Sequence, residues 1–343
     1  MQSKLFSIVS TIVVFLFIIS SCAMYETSST NENAAEDNSL LSSIITKQDN
    51  KIFDCKEKSL KNIEKFLYSL EKEKVRRISN LVSKDFTLSV TGREGTVPFA
   101  GTYYGKKALE QYLDNFLSSL KIKNIDLQYN IIDNDNINTH LNLVAKVLST
   151  GKSFDLEYIF QWQLDKNGLI KYLKLYYDTY AFYKAYQNGG ETYISDIKGT
   201  NDFQLINVNF DSEEMAKTLY QKFFTEGDLP GVINMLDTNV LWVMKGDPTI
   251  ISYANAYSEV DGFMQFVYNL LGTCTMAAMP EFFYYVKQDN KVDVHLIEQW
   301  ICNSTGKLMK FEIIHSFSFT ADGKIKEFKS YNDTYEGYYG FTQ

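Results

Sequence analysis

The chain has 343 residues but only four cysteines, three histidines and three tryptophans, and these shortages narrow its chemistry before any motif is sought. Setting Cys22 aside as part of the N-terminal region leaves Cys55, Cys274 and Cys302, an odd number without close spacing. That is neither a disulfide framework nor a metal knuckle. Cys274 and Cys302 could join in an oxidising compartment, but nothing in the sequence fixes their geometry. His140 and His295 stand a whole domain apart, so a metal site is not expected. No nucleophile elbow, phosphate loop or dinucleotide fingerprint occurs, and no cofactor is expected. Positive charge is also short, with 34 Lys and Arg against 42 Asp and Glu. An acidic balance of this kind argues against nucleic acid as a partner. The basic run Lys72, Lys74, Arg76, Arg77 reads as a solvated helix face.

One long apolar run is present, Leu5 to Ile19 behind Lys4. It is short for a transmembrane helix and fits the core of a signal peptide. Ser20 and Ser21 stand directly before Cys22, and Ile19-Ser20-Ser21-Cys22 resembles the bacterial lipobox. The resemblance implies removal of residues 1–21, acylation of Cys22, and a protein anchored by lipid to an extracytoplasmic membrane surface of the cell envelope. Losing Lys4 takes the formal charge from −8 to −9. An ordinary cleaved signal or an uncleaved anchor is the alternative. Residues 22–55, rich in Ser, Thr, Asn, Asp and Glu, read as a flexible tether.

The remainder is an internal repeat. A shift of 154 lays Gly92 on Gly246, Ala100 on Ala254, Tyr103 on Tyr257, Gln111 on Gln265 and Leu117 on Leu271. A shift of 155 then lays His140-Leu141 on His295-Leu296, the segment 149–152 on 304–307, and Asp178-Thr179-Tyr180 on Asp333-Thr334-Tyr335. The expected layout is domain 1 over 56–187, a linker over 188–208, and domain 2 over 209–343.

Each copy predicts the same elements. An amphipathic helix (63–70, 215–224) and a short second helix (75–81, 230–236) lead into a strand (86–90, 240–244). After a Gly-containing loop comes a longer helix (107–120, 260–271), then three strands separated by turn signals. Helices before an antiparallel meander mean α+β, with a curved sheet wrapped on helices. This order, the loop Pro98-Phe99-Ala100-Gly101-Thr102-Tyr103-Tyr104-Gly105-Lys106, and a last strand ending Leu175-Tyr176-Tyr177-Asp178 resemble the SnoaL-like branch of the nuclear-transport-factor-2-like superfamily. The second copy keeps the frame as Ser252-Tyr253-Ala254-Asn255-Ala256-Tyr257 and ends Ser330-Tyr331-Asn332-Asp333. The resemblance implies two tandem cone-shaped domains, each enclosing an apolar pocket, and an intramolecular pseudo-dimer.

Alternation on the strand over 157–164 puts Tyr158, Phe160 and Trp162 on the cavity side, and Ile313, His315, Phe317 and Phe319 on that side in the second copy. His315 replaces Phe160. It is a candidate general base or ligand hydrogen-bond partner titrating near working pH, or else a core histidine bonded to a Tyr hydroxyl. Asp178 and Asp333 are candidate acids or bases, or backbone caps. The enzymes resembled would carry their acid a few residues earlier, where this chain has Leu175 and Ser330. Trp242, Tyr257 and Tyr331 are ligand-binding candidates in the second copy, with Tyr103, Tyr158 and Tyr176 matching them in the first. All equally suit a core. Three readings follow: a module binding a small, mostly apolar ligand in the second domain; an isomerase, cyclase or hydratase; and a non-catalytic interaction protein.

Overall fold

A computed structural model describes residues 57–133, 136–200 and 204–342, all within one compact unit spanning Cys55–Gln343. The apolar run at 1–21, Cys22 and the whole tether at 22–55 lie outside the described residues.

The first half opens with helix α1 (residues 57–71), whose residues Ile63, Phe66, Leu67 and Leu70 recur at helical spacing and are buried. It continues through α2 (Val75–Ser79), β1 (Val82–Val90), β2 (Gly101–Tyr104) and α3 (Gly105–Ser119). Then come β3 (Leu120–Asp133), β4 (Asn136–Val147), β5 (Ser153–Leu164), β6 (Ile170–Tyr177), α4 (Thr179–Tyr186) and the short β7 (Tyr193–Ser195). The second half has α5 (Ser212–Tyr220), which runs into a π-helical turn over Gln221–Glu226, then α6 (Leu229–Ile233), β8 (Leu236–Met244), β9 (Asn255–Ser258) and α7 (Glu259–Thr273). It closes with β10 (Cys274–Gln288), β11 (Lys291–Cys302), β12 (Leu308–Phe319), β13 (Ile325–Tyr331) and α8 (Thr334–Phe341).

The two sheets repeat one strand order, β2-β1-β6-β5-β4-β3 and β9-β8-β13-β12-β11-β10. Only β1 with β6, β8 with β13 and the added β7 with β5 run parallel. Register shifts along β3/β4 and β10/β11 bend the outer strands over the helices. The protein is therefore α+β, with helices packed on two curved, mainly antiparallel sheets. Gly92 and Gly246 both follow the first long strand of their half with φ of 131° and 132°. A side chain there would press on Val97 and Ala100, or on Ile251 and Ala254.

Two features depart from the sequence reading. Four strands, not three, follow the longer helix: β3 and β10 leave it directly as outer strands. Their solvent faces break the apolar alternation, through Lys121, Lys123 and Asp126 in β3. Within the stretch read as linker, Tyr193–Ser195 pairs with β5. Cys274 and Cys302 sit opposite each other in the β10/β11 register, buried and unbonded.

Inner faces fall as the alternation predicts. Tyr158, Phe160 and Trp162 enter one core, and Ile313, Phe317 and Phe319 the other. The outer faces of the two sheets meet each other at Ile159, Tyr176, Ile314 and Tyr331. Around this contact lie buried charges. Lys245 Nζ reaches Glu157 Oε2 at 2.7 Å, Asp196 Oδ2 at 2.8 Å and the Ile197 carbonyl at 3.0 Å. Lys329 lies 3.4 Å from Glu157, and Lys174 pairs with Glu312, its counterpart across the repeat. Burial alone would raise the Glu157 carboxyl, but Lys245 and Lys329 outweigh it and hold it at about 2.

Candidate functional site

Each half encloses a cavity between its sheet and helices, of about 40 Å³ in the first and about 60 Å³ in the second. Either holds a few waters or part of a small ligand. The first is bordered by Phe66, Leu88, Leu143, Phe160, Leu175 and Tyr177, among other apolar groups. In the second, the positions those six occupy carry Tyr220, Trp242, Glu298, His315, Ser330 and Asn332, and all six border the cavity.

The local sequence explains their placement. Trp242 on β8, Glu298 and Trp300 on β11, His315 on β12 and Ser330 on β13 all sit at inward positions of their strands, two residues apart where they share one. Tyr220 at the end of α5 and Phe223 and Phe224 in the π-helical turn that follows border the same cavity. Such turns widen a helix by one residue and are frequent at functional sites. Trp242 stacks on Phe328 with ring centres 3.9 Å apart.

Glu298 is buried, and its Oε2 accepts a hydrogen bond of 3.0 Å from Trp300 Nε1. Desolvation pushes its carboxyl up to about 7, against the smaller opposing effect of that bond. His315 Nδ1 lies 3.0 Å from the Tyr220 hydroxyl. The expectation that His315 titrates near working pH is corrected: desolvation, with no anionic partner to oppose it, lowers the imidazole to about 3, so the ring is neutral. A neutral ring serves as a hydrogen-bonding group and is a weak base. Three further buried polar atoms on cavity-lining residues, Trp242 Nε1, Ser330 Oγ and Asn332 Oδ1, have no hydrogen-bond partner among the described residues. Buried polar atoms are nearly always satisfied, so three orphans at one cavity call for a ligand or water to complete them.

The remaining candidates fall elsewhere. Tyr158 borders the first cavity. Tyr103 donates its hydroxyl to the Phe99 carbonyl at 3.0 Å, and Tyr257 donates to the Tyr253 carbonyl at 3.1 Å. Tyr331 is committed to the contact between the sheets, with Lys245 4.9 Å from its ring centre. Asp178 caps α4 by accepting from the Ala181 amide at 2.9 Å and also accepts from the Thr334 hydroxyl. Reciprocally, Thr179 donates its hydroxyl to Asp333. This exchange clasps α4 to α8, and burial raises both carboxyls, Asp333 to about 6. Asp333 borders an open groove with Lys174 and Glu312, not the second cavity. Glu298 escaped the sequence reading. The signal was present, because the same 155-residue shift that exposed His315 lays Glu298 on Leu143.

Neither a family model nor a curated protein matches the chain. Solved structures do. One is an NTF2-like protein from Burkholderia xenovorans, 18% identical, covering 38% of this chain and 97% of its own, with a TM-score of 0.35. Another is a putative isomerase from Bacillus subtilis, 16% identical, covering 36% and 88%, with a TM-score of 0.34. A third is an NTF2-like protein of unknown function from Burkholderia pseudomallei, 17% identical, covering 38% and 98%, with a TM-score of 0.35. In each, the similarity covers less than two fifths of this chain. Among the described residues no group of three or more His, Cys, Asp or Glu could hold a metal ion.

Proposed function

We propose that this is a lipid-anchored envelope protein of two tandem SnoaL-like domains, in which the second domain binds a small, largely apolar ligand and the first serves as its scaffold. The observation that carries the reading is the set of orphaned polar atoms on Trp242, Ser330 and Asn332, gathered with Glu298 and His315 at one aromatic cavity. Cavities of this composition, mostly apolar with a few convergent polar groups, are the usual form of a small-molecule site. The anchor at Cys22, the tether over 22–55 and the domain limits 56–187 and 209–343 belong to the same proposal and rest on the sequence.

The test is native mass spectrometry of the full chain extracted in detergent from its own host, followed by denaturing extraction of what travels with it. The expected result is a stoichiometric small molecule that is lost in Trp242→Leu, which restores the first half's residue. An empty protein whose melting temperature shifts with no candidate ligand would overturn the reading in favour of an interaction protein with self-filled cavities.

A second reading is favoured by Glu298 specifically. A buried carboxyl raised to about 7 is poised to give or take a proton at neutral pH. On that reading the ligand is a substrate, and Glu298→Gln abolishes its turnover while retaining its affinity. His315 and Asp333, the acid–base candidates of the sequence reading, fit less well: the ring is too weak a base, and Asp333 lies away from the cavity.

A further inference from the structure

Seventeen residues border the second cavity, and nine of them are Phe, Tyr or Trp. None is Lys or Arg, and the one carboxylic acid is Glu298. The titratable groups around Glu298 are Tyr220 from α5, Tyr253 from the loop before β9 and His315 from β12. Each is neutral at physiological pH, so nothing among the lining residues supplies Glu298 with a counter-charge. Polarity at the cavity is one-sided as well. Two of the three orphaned atoms, Asn332 Oδ1 and Ser330 Oγ, can accept hydrogen bonds, whereas Trp242 Nε1 can only donate.

We propose that the second cavity takes a small organic ammonium ion, with Glu298 as its counter-charge and the surrounding aromatic rings as the seat for its alkyl groups. This rests on the ligand-binding reading above and adds the class of ligand. Aromatic faces attract an ammonium ion, more strongly where water is excluded. An N–H-bearing ammonium would donate to the carboxylate and to Asn332 Oδ1 or Ser330 Oγ. A hydroxyl carried on it would accept from Trp242 Nε1. An anion would meet a carboxyl and no cation. Binding the cation requires the ionised form of Glu298, so at pH values where the empty site is protonated, complex formation releases a proton.

The test compares 2-dimethylaminoethanol, protonated throughout the range used, with its uncharged isostere 3-methylbutan-1-ol. Each is titrated by ligand-observed NMR into the full chain in a maltoside detergent between pH 5.5 and 8. The expected result is at least tenfold tighter binding of the amine at pH 8, with its affinity falling toward tenfold per pH unit below pH 7. Binding of the alcohol stays level across the range. Glu298→Gln, which keeps the side chain's shape, erases the amine's advantage; the wild-type pH series decides the matter by itself should that variant fold poorly. Equal or tighter binding of the alcohol, or an amine affinity independent of pH, overturns the ammonium proposal while leaving a neutral-ligand pocket in place. Binding of neither probe also overturns it, and joined to an empty protein in the mass spectrometer it overturns the ligand-binding reading as well.

Discussion

The two halves share one strand order and differ where function would be sought. The first cavity is closed by Leu88, Leu143, Phe160 and Leu175; the second substitutes Trp242, Glu298, His315 and Ser330 at the same places. Burying a carboxyl, an imidazole and a hydroxyl in place of hydrocarbon disfavours folding unless something is gained. A half that needed only to fold would have kept the apolar set, as the first half does. On the ligand-binding proposal, this difference separates a framework from a working cavity within a single chain. Asymmetry also marks the contact between the sheets, where Lys245 supplies a buried cation and the matching position of the first half carries Thr91, whose Oγ1 has no hydrogen-bond partner among the described residues.

The largest expected effect breaks that contact. Lys245→Ala removes the buried cation shared by Glu157 and Asp196, leaves them only Lys329 and Lys198, and should lower stability by about 3 kcal/mol or more in urea denaturation. Lys174→Ala, at the symmetric pair with the more exposed Glu312, should lose only about 1 kcal/mol. Equal losses would mean that the asymmetry has no energetic content. The pH dependence gives a second check. Glu157 is held below its unfolded value, so its contribution is complete above the ordinary carboxylate range and fades as pH falls from about 4.5 toward 2. The gap between wild type and Lys245→Ala should close over that interval.

Next in size is the cavity carboxyl. Glu298 is raised from 4.5 to about 7, so its folded state binds a proton more tightly than the unfolded chain does. Its contribution is present below 4.5 and lost as pH rises through 7. Glu298→Gln should accordingly match wild type near pH 4.5 and exceed it by up to about 3 kcal/mol at pH 9 in the ligand-free protein, measured by thermal or urea unfolding across pH. A pH-independent difference would show that Glu298 is already paired or hydrated, and the contrast with Leu143 would lose its electrostatic meaning.

Much of this architecture was legible in the repeat. Two copies allowed each helix, strand and turn to be checked against a second instance, and inward alternation on β5 and β12 located His315 correctly. The outer strands β3 and β10 were harder, because a strand with one neighbour and a solvated face carries little alternation. At the site, aromatic type alone could not separate Trp242, which borders the cavity, from Tyr257 and Tyr331, whose side chains are engaged elsewhere. Asp178 and Asp333 stay open between acid and cap in the sequence for a physical reason: a carboxylate after a final strand serves as either, and only the structure shows that they face the Thr334 and Thr179 hydroxyls. Glu298 needed one further column of the self-comparison, read for polar replacements of apolar residues.

The smallest effect at neutral pH comes from His315→Phe, which gives the second half the first half's residue. It removes the partner of the Tyr220 hydroxyl, and a buried hydroxyl left unpaired is worth about 1 kcal/mol against the variant near pH 7. Acid reverses the order. The wild-type ring is buried neutral with its proton affinity lowered to about 3, while the unfolded ring takes its proton near 6.5. Wild type therefore loses stability as pH falls through 6.5, and the loss continues toward 3. Phenylalanine has no such liability, so the two unfolding curves should cross between pH 6 and 5, with the variant the more stable below. Parallel curves would mean that His315 is already charged or solvated in the folded protein, and the second cavity would then be wetter than its aromatic lining implies.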